Sequence, residues 1–161
     1  MTTQRSDRFA DPRISRSLMI LTYVFGGVGL AVGIGTVNSD PPSLGWAALV
    51  TVGGAGIVSF VRHSIFHRSD AARMGWDYGT TNAFQIEAGV ANLSWGLVAV
   101  LAVVFDWGLA VEASTFLVFG IYMIGAAVTQ VIYKRGARAA VISLVFGAML
   151  AYVGIAGLVA S

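Results

Sequence analysis

Hydrophobic residues along the chain fall into five runs, residues 17–37, 44–66, 82–105, 114–133 and 139–160, each close to twenty residues long and poor in charge. At about 1.5 Å of rise per residue, a helix of that length crosses the roughly 30 Å hydrocarbon core of a bilayer. The pattern therefore predicts an all-α fold, a polytopic transmembrane helix bundle with five spans. Residues 1–16 are expected to form a polar tail, and residues 17–160 a single transmembrane domain. The first run is longer than the apolar core of a secretory signal and lacks a small-x-small cleavage site, so it is read as a retained span.

The gaps between the runs carry turn chemistry. Residues 38–43, NSDPPS, hold Asp40 and the Pro41-Pro42 pair, which cannot continue a helix. Residues 68–81 make the longest internal polar loop, where Ser69 as N-cap and Asp70 in the first turn suit a short helix closed by Gly75. Asn82 followed by Gln85 has the form of a capping box, in which each side chain satisfies a backbone N–H of the first turn. Residues 106–113 form a short connection and residues 134–138, KRGAR, a basic turn. Trp46 and Trp107 stand where interfacial anchors are expected. In the tail, Pro12 is expected to interrupt any long helix.

Glycine is frequent inside the spans, with Gly26, Gly27, Gly29, Gly33 and Gly35 in the first and Gly53, Gly54 and Gly56 in the second. In lipid, small residues let helix backbones approach closely, and Gly29 and Gly33 have the small-xxx-small spacing of such a crossing. Packing within one bundle is the expected use. The chain shows no internal repeat of the kind that builds many secondary transporters.

Composition agrees with the membrane reading. Of 161 residues, 57% are hydrophobic and 11% charged, against about 25% charged in soluble domains. The absence of cysteine excludes disulfides, thiolate metal sites and thiol redox chemistry. A net charge of only +2, spread over short loops, does not make a phosphate-tracking surface, so the expected partner is the lipid bilayer and not nucleic acid.

The placement of charge adds an orientation. All 10 Lys and Arg lie in the tail (Arg5, Arg8, Arg13, Arg16), between spans two and three (Arg62, Arg68, Arg73) or between spans four and five (Lys134, Arg135, Arg138). The positive-inside rule puts those segments, and with them the N-terminus, in the cytoplasm and the C-terminus outside.

Chemistry concentrates in residues 62–95, which contain both histidines and Glu87, a carboxylate within an otherwise apolar run. His63 and His67 are four apart and share a helix face. With a third ligand from Glu87, or else Asp77 or Asp70, they are a candidate divalent-metal set, although a zinc helix of the HExxH type needs Glu where Ser64 stands. The competing role for the two imidazoles is contact with headgroups or backbone carbonyls. Glu87 near a helix start suits the macrodipole and pairing with Arg62, Arg68 or Arg73, or else a proton or cation relay. Gln85 and Asn92 are seven apart and face the same way. With His63, Trp76 and Glu87 they are expected to line a polar ligand-binding pocket on the cytoplasmic side, with Thr129 and Gln130 at similar depth. No phosphate loop, nucleophile elbow or pair of catalytic carboxylates is present, so no catalytic residue is assigned.

The pattern His63, then Gly75-Trp76, then Phe84-Gln85-x-Glu87-x-Gly89-x-x-Asn92-Leu93-x-x-Gly96 resembles that of a domain-of-unknown-function family of small bacterial polytopic integral-membrane proteins. Ala83 stands where similar sequences tend to have proline. The resemblance implies a helical membrane protein without an assigned reaction, in a bacterial inner membrane.

The expected function is a small-ligand or ion binding or transport component, working as a homo-oligomer or within a larger complex. The alternatives are an accessory or assembly subunit, and a metal-assisted membrane enzyme. Because the chain has no cysteine, single introduced cysteines report topology directly. Ser39→Cys is expected to react with a membrane-impermeant maleimide from outside, and Ala137→Cys only after permeabilisation; the reverse pattern would invert the orientation.

Overall fold

The computed structural model describes residues 8–75, 82–133 and 136–161. Every regular element among them is helical. Five helices are long and apolar enough to cross a bilayer: α1 (Pro12–Val37), α2 (Gly45–Ile65), and, after a short α3 (His67–Arg73), α4 (Ala83–Val104), α5 (Leu109–Ile132) and α6 (Ala137–Val159).

Two helix starts differ from expectation, each for a local reason. Pro12 opens α1 instead of interrupting it, because a first-turn proline lacks only an N–H that the helix does not use. Asp11 caps it, accepting from the Arg13 backbone N–H at 2.9 Å. The helix therefore runs through residues read as tail and carries Ser15 into the bundle. At the other end of the chain's fourth span, Gly108 has φ 86° and lets α5 begin at Leu109. That shortens the expected connection and brings Glu112 into a first turn, where it is buried.

α2 is not uniformly α-helical. Leu49–Gly54 and Val61–Ile65 wind as wider π turns, and the Phe66 backbone N–H accordingly reaches back five residues to the Val61 carbonyl at 2.9 Å. Such turns recur at functional sites, and the second one carries Arg62 and His63.

The helices pack through glycine at close range, as lipid favours. α1 and α2 meet where a Cβ on Gly29 would stand 2.6 Å from the Thr51 backbone nitrogen, so only glycine fits there. α2 and α4 meet at Gly56 and Gly96, and further along at Ser64 and Gly89. α5 and α6 form an antiparallel hairpin with contacts from Ala113–Gly157 through Gly120–Gly147 to the Gln130–Ser143 hydrogen bond. The hairpin closes on α1 through Phe146 against Gly26 and Val153 against Gly33, and on α4 through Trp95, which stacks with Phe119 and meets Tyr122 at a tilt. Phe116, fully buried, sits at the centre with Leu30, Leu150 and Val153. Gly29 and Gly33 thus serve packing inside the bundle.

Outward faces are apolar, including Ile20, Val24 and Val28 of α1 and Val141, Val145 and Ile155 of α6, as a lipid-facing surface requires. Trp46 and Trp107 are exposed at one end of the bundle, at the start of α2 and just after α4.

Gly56→Ala places a Cβ 2.7 Å from the Asn92 carbonyl oxygen, whereas Gly27→Ala meets nothing within 4 Å. Gly56→Ala is expected to lower stability in detergent by about 1–3 kcal/mol, and Gly27→Ala to leave it unchanged or slightly raised. Thermal unfolding of the two variants side by side checks this.

Candidate functional site

At the end of the bundle that carries the basic residues, Asp70 of α3 is completely buried. Its position follows from a chain reversal: α2 ends on its π turn, Phe66 breaks the helical path, and α3 folds back toward the first turn of α1. The Phe9 ring stacks on Phe66 at 5.5 Å between centroids and closes that corner. Ser69, expected as an N-cap, has a longer-range task. Its hydroxyl donates to the Asp11 carbonyl and accepts from the Ser15 backbone N–H at 3.0 Å, satisfying one of the unpaired N–H groups at the start of α1.

Partners from four helices converge on the Asp70 carboxylate. The Ser15 hydroxyl of α1 donates to Oδ1 at 2.5 Å, and Arg73 of α3 reaches the same oxygen through Nη2 at 2.9 Å and Nε at 3.2 Å. On Oδ2, the Gln85 amide of α4 donates at 2.6 Å and His63 Nδ1 of α2 lies at 2.9 Å. Arg62 Nε lies 3.9 Å from Oδ1. Burying one ion costs several kcal/mol, and hydrogen bonds to an ionised group contribute about 1.5–3 kcal/mol each. Several converging on one carboxylate outweigh its burial.

The same balance sets its protonation. Burial alone would raise the Asp70 carboxyl, but the His63 contact, with Arg62 and the Ser15 hydroxyl behind it, holds it well below the usual carboxylate range. His63 has its tautomer dictated by its neighbours: Arg62 Nη2, which can only donate, lies 2.7 Å from His63 Nε2. Nε2 is therefore the acceptor, and Nδ1 carries the proton, 2.9 Å from Asp70 Oδ2. Two guanidinium groups, one carboxylate and a neutral imidazole leave the cluster with a net charge of about +1. Arg62 Nε and Gln85 Oε1 are buried without hydrogen-bond partners.

The residues singled out from sequence divide accordingly. His63 and Gln85 join the cluster. The Asn82 side chain accepts from the Gln85 backbone N–H at 3.1 Å, so half of the capping box forms, while the Gln85 amide turns to Asp70. Asn92 is buried on the same face but donates to the Ala88 carbonyl of its own helix at 2.7 Å. Glu87 lies on the exposed face of α4, and Asp70 takes Arg62 and Arg73, two of the three arginines that were candidates to pair with it. Trp76 lies outside the described residues. Thr129 bonds its own helix and Gln130 bonds Ser143, apart from the cluster. Tyr23 and Tyr122 instead stand within electrostatic range of Arg62.

His63 sets Nε2 on Arg62 and holds Nδ1 2.9 Å from Asp70 Oδ2 without an aligned hydrogen bond, whereas His67 is held by Nδ1 to the Ser64 carbonyl at 2.9 Å and keeps Nε2 without a partner. Among the described residues, no three His, Asp or Glu side chains group so as to hold a metal ion. Sequence reading missed Ser15, offered Arg73 to Glu87 instead of Asp70, and gave Asp70 only peripheral roles. The available signal was the i, i+3 spacing of Asp70 and Arg73 with Arg62 and His63 eight and seven residues upstream of Asp70.

Residues 16–151 match the family of unknown function DUF6790, and the chain belongs to that family. The match reaches into all five crossings, well beyond the two helices and loop that carry the sequence resemblance. No curated protein and no solved structure matches the chain.

Asp70→Asn leaves two partly buried guanidinium groups without their counter-ion and is expected to cost about 3 kcal/mol. Because the folded carboxyl lies below the unfolded one, its contribution is complete above the unfolded pKa near 4 and is lost as pH falls toward the folded value. Denaturation of the native chain in detergent is expected to show stability falling below about pH 4, with that decline absent in Asp70→Asn.

Proposed function

Membership of DUF6790 leaves the activity open, and we propose that the protein is a small-ligand or ion-binding component of a cell membrane, with the Asp70 cluster as its site. The observation that carries this reading is Arg62: a guanidinium with 13% of its side chain exposed, whose Nε–H has no acceptor and whose nearest carboxylate oxygen is 3.9 Å away. A buried donor left unmade costs about 1–3 kcal/mol, and a ligand oxygen entering beside Arg62 would satisfy it. The net positive charge of the cluster favours an anionic ligand, a carboxylate or phosphate. The distribution of all ten Lys and Arg supports a cytoplasmic N-terminus, which puts the cluster on the cytoplasmic side. Five helices leave a wide apolar surface facing outward, and lipid or a lateral partner, a second copy or another subunit, covers it.

The second reading, an assembly subunit, draws on the convergence of α1, α2, α3 and α4 at one carboxylate, which suits a role in holding this end together. Arg62→Gln separates the two. Purified protein in lipid nanodiscs is expected to gain thermal stability with inorganic phosphate or acetate, and Arg62→Gln to insert normally but lose most of that gain. Unchanged stability with both anions, together with loss of abundance in Arg62→Gln, would favour the assembly role.

A further inference from the structure

Gln85 stands at the Asp70 carboxylate with only 5% of its surface exposed. A carboxylate can only accept, so the end of the amide that faces Asp70 Oδ2 at 2.6 Å has to be Nε2, and Oε1 is turned away from it. That oxygen is buried and has no donor. The donors around it are directed elsewhere: the Ser15 hydroxyl and the Arg73 Nε and Nη2 groups go to Asp70 Oδ1, and Arg62 Nη2 goes to His63 Nε2. Arg62 Nε–H, 3.9 Å from Oδ1, is left over as well. One unmet acceptor and one unmet donor therefore flank the same carboxylate, the first at Oδ2 and the second at Oδ1.

The cluster is open at its cationic edge. Ser15 and Asp70 are fully enclosed, whereas the side chains of Arg62, His63 and Arg73 are 13%, 19% and 23% exposed. A ligand arriving from outside meets positive charge first, and an anion is drawn in. An anion that only accepts satisfies Arg62 Nε–H but sets a lone pair against Gln85 Oε1. An anion that carries its own hydroxyl accepts from Arg62 and donates to Gln85. A site built to bond a hydroxyl rejects the analogue that lacks it, because its buried polar group is then left unpaired.

We propose that the anion site at Arg62, the reading on which this inference rests, is selective for an oxyanion bearing a hydroxyl, a hydrogenphosphate or a phosphomonoester, with Gln85 Oε1 as the acceptor that reads the hydroxyl. Arg62 supplies the charge and Gln85 the discrimination.

At about pH 8 phosphate and sulfate are both tetrahedral dianions, and only phosphate keeps an O–H. The full-length protein in nanodiscs of phosphatidylcholine, whose phosphodiester has no hydroxyl, is titrated with each anion and binding is read by calorimetry. Phosphate is expected to bind about tenfold tighter than sulfate, the size of one net hydrogen bond. In Gln85→Met, which keeps the side-chain length and removes the acceptor, the ratio should fall to about one; the native ratio stands as the test where this variant does not insert. Equal affinities in the native chain, both lost in Arg62→Gln, would overturn the selectivity and leave the anion site in place, the result that a water seated at Gln85 Oε1 would give. Binding of neither anion would remove the anion site and the selectivity with it. Phosphatidic acid, a phosphomonoester lipid, added to the discs separates two sources of the same chemistry: suppressed phosphate binding assigns the site to a lipid headgroup, undiminished binding assigns it to a free phosphate, and both support a hydroxyl-bearing oxyanion.

Discussion

A carboxylate withdrawn from water must be met by donors on all sides, and one end of this protein is arranged around that requirement at Asp70. Its partners are a hydroxyl from the first turn of α1, an imidazole from the last turn of α2, a guanidinium three residues away on α3 and an amide from the first turn of α4. None of these segments is close to all the others in the chain. The seven-residue α3 is too short to be stable alone and owes its position to the bonds that Ser69, Asp70 and Arg73 make with α1.

The cluster depends in turn on helix seams built from glycine. Gly56 against Gly96, and Gly89 against Ser64, set the register of α2 on α4, and that register brings His63 level with the start of α4, where Gln85 is. Without water to drive association, close backbone contact and dispersion hold these helices together. A Cβ at the seam would shift the helices by ångströms, while the hydrogen bonds to Asp70 tolerate only tenths. Packing precision in the apolar part of the bundle is thus a condition for the polar part. The surplus positive charge and the open Arg62 N–H follow from how Asp70 divides its two oxygens. Ser15 and Arg73 occupy Oδ1 and keep Arg62 at arm's length.

The membrane architecture was legible from residue pattern alone. Five apolar runs became five helices, Asn82 capped α4, and Gly75 ended α3 with φ 71°. Pro12 was misread because a proline is a breaker or a starter according to whether a helix already precedes it. Glu112 was missed because a polar residue one turn into a helix looks, in one dimension, like part of the connection before it. Glu87 drew attention through its apolar neighbours in sequence, yet α4 turns it to the exposed face, while Asp70, in a polar loop, ends fully buried.

Hydropathy and charge sum over short windows, so span number and the asymmetry of Lys and Arg are properties that the sequence determined by itself. Which carboxylate is enclosed, which arginine keeps a free N–H and which histidine nitrogen carries the proton depend on how helix faces meet. Contacts between α1 and α3, 55 positions apart at Ser15 and Asp70, have no local signature. Only the tertiary structure decided them, because a buried charge settles where several distant segments can reach it at once.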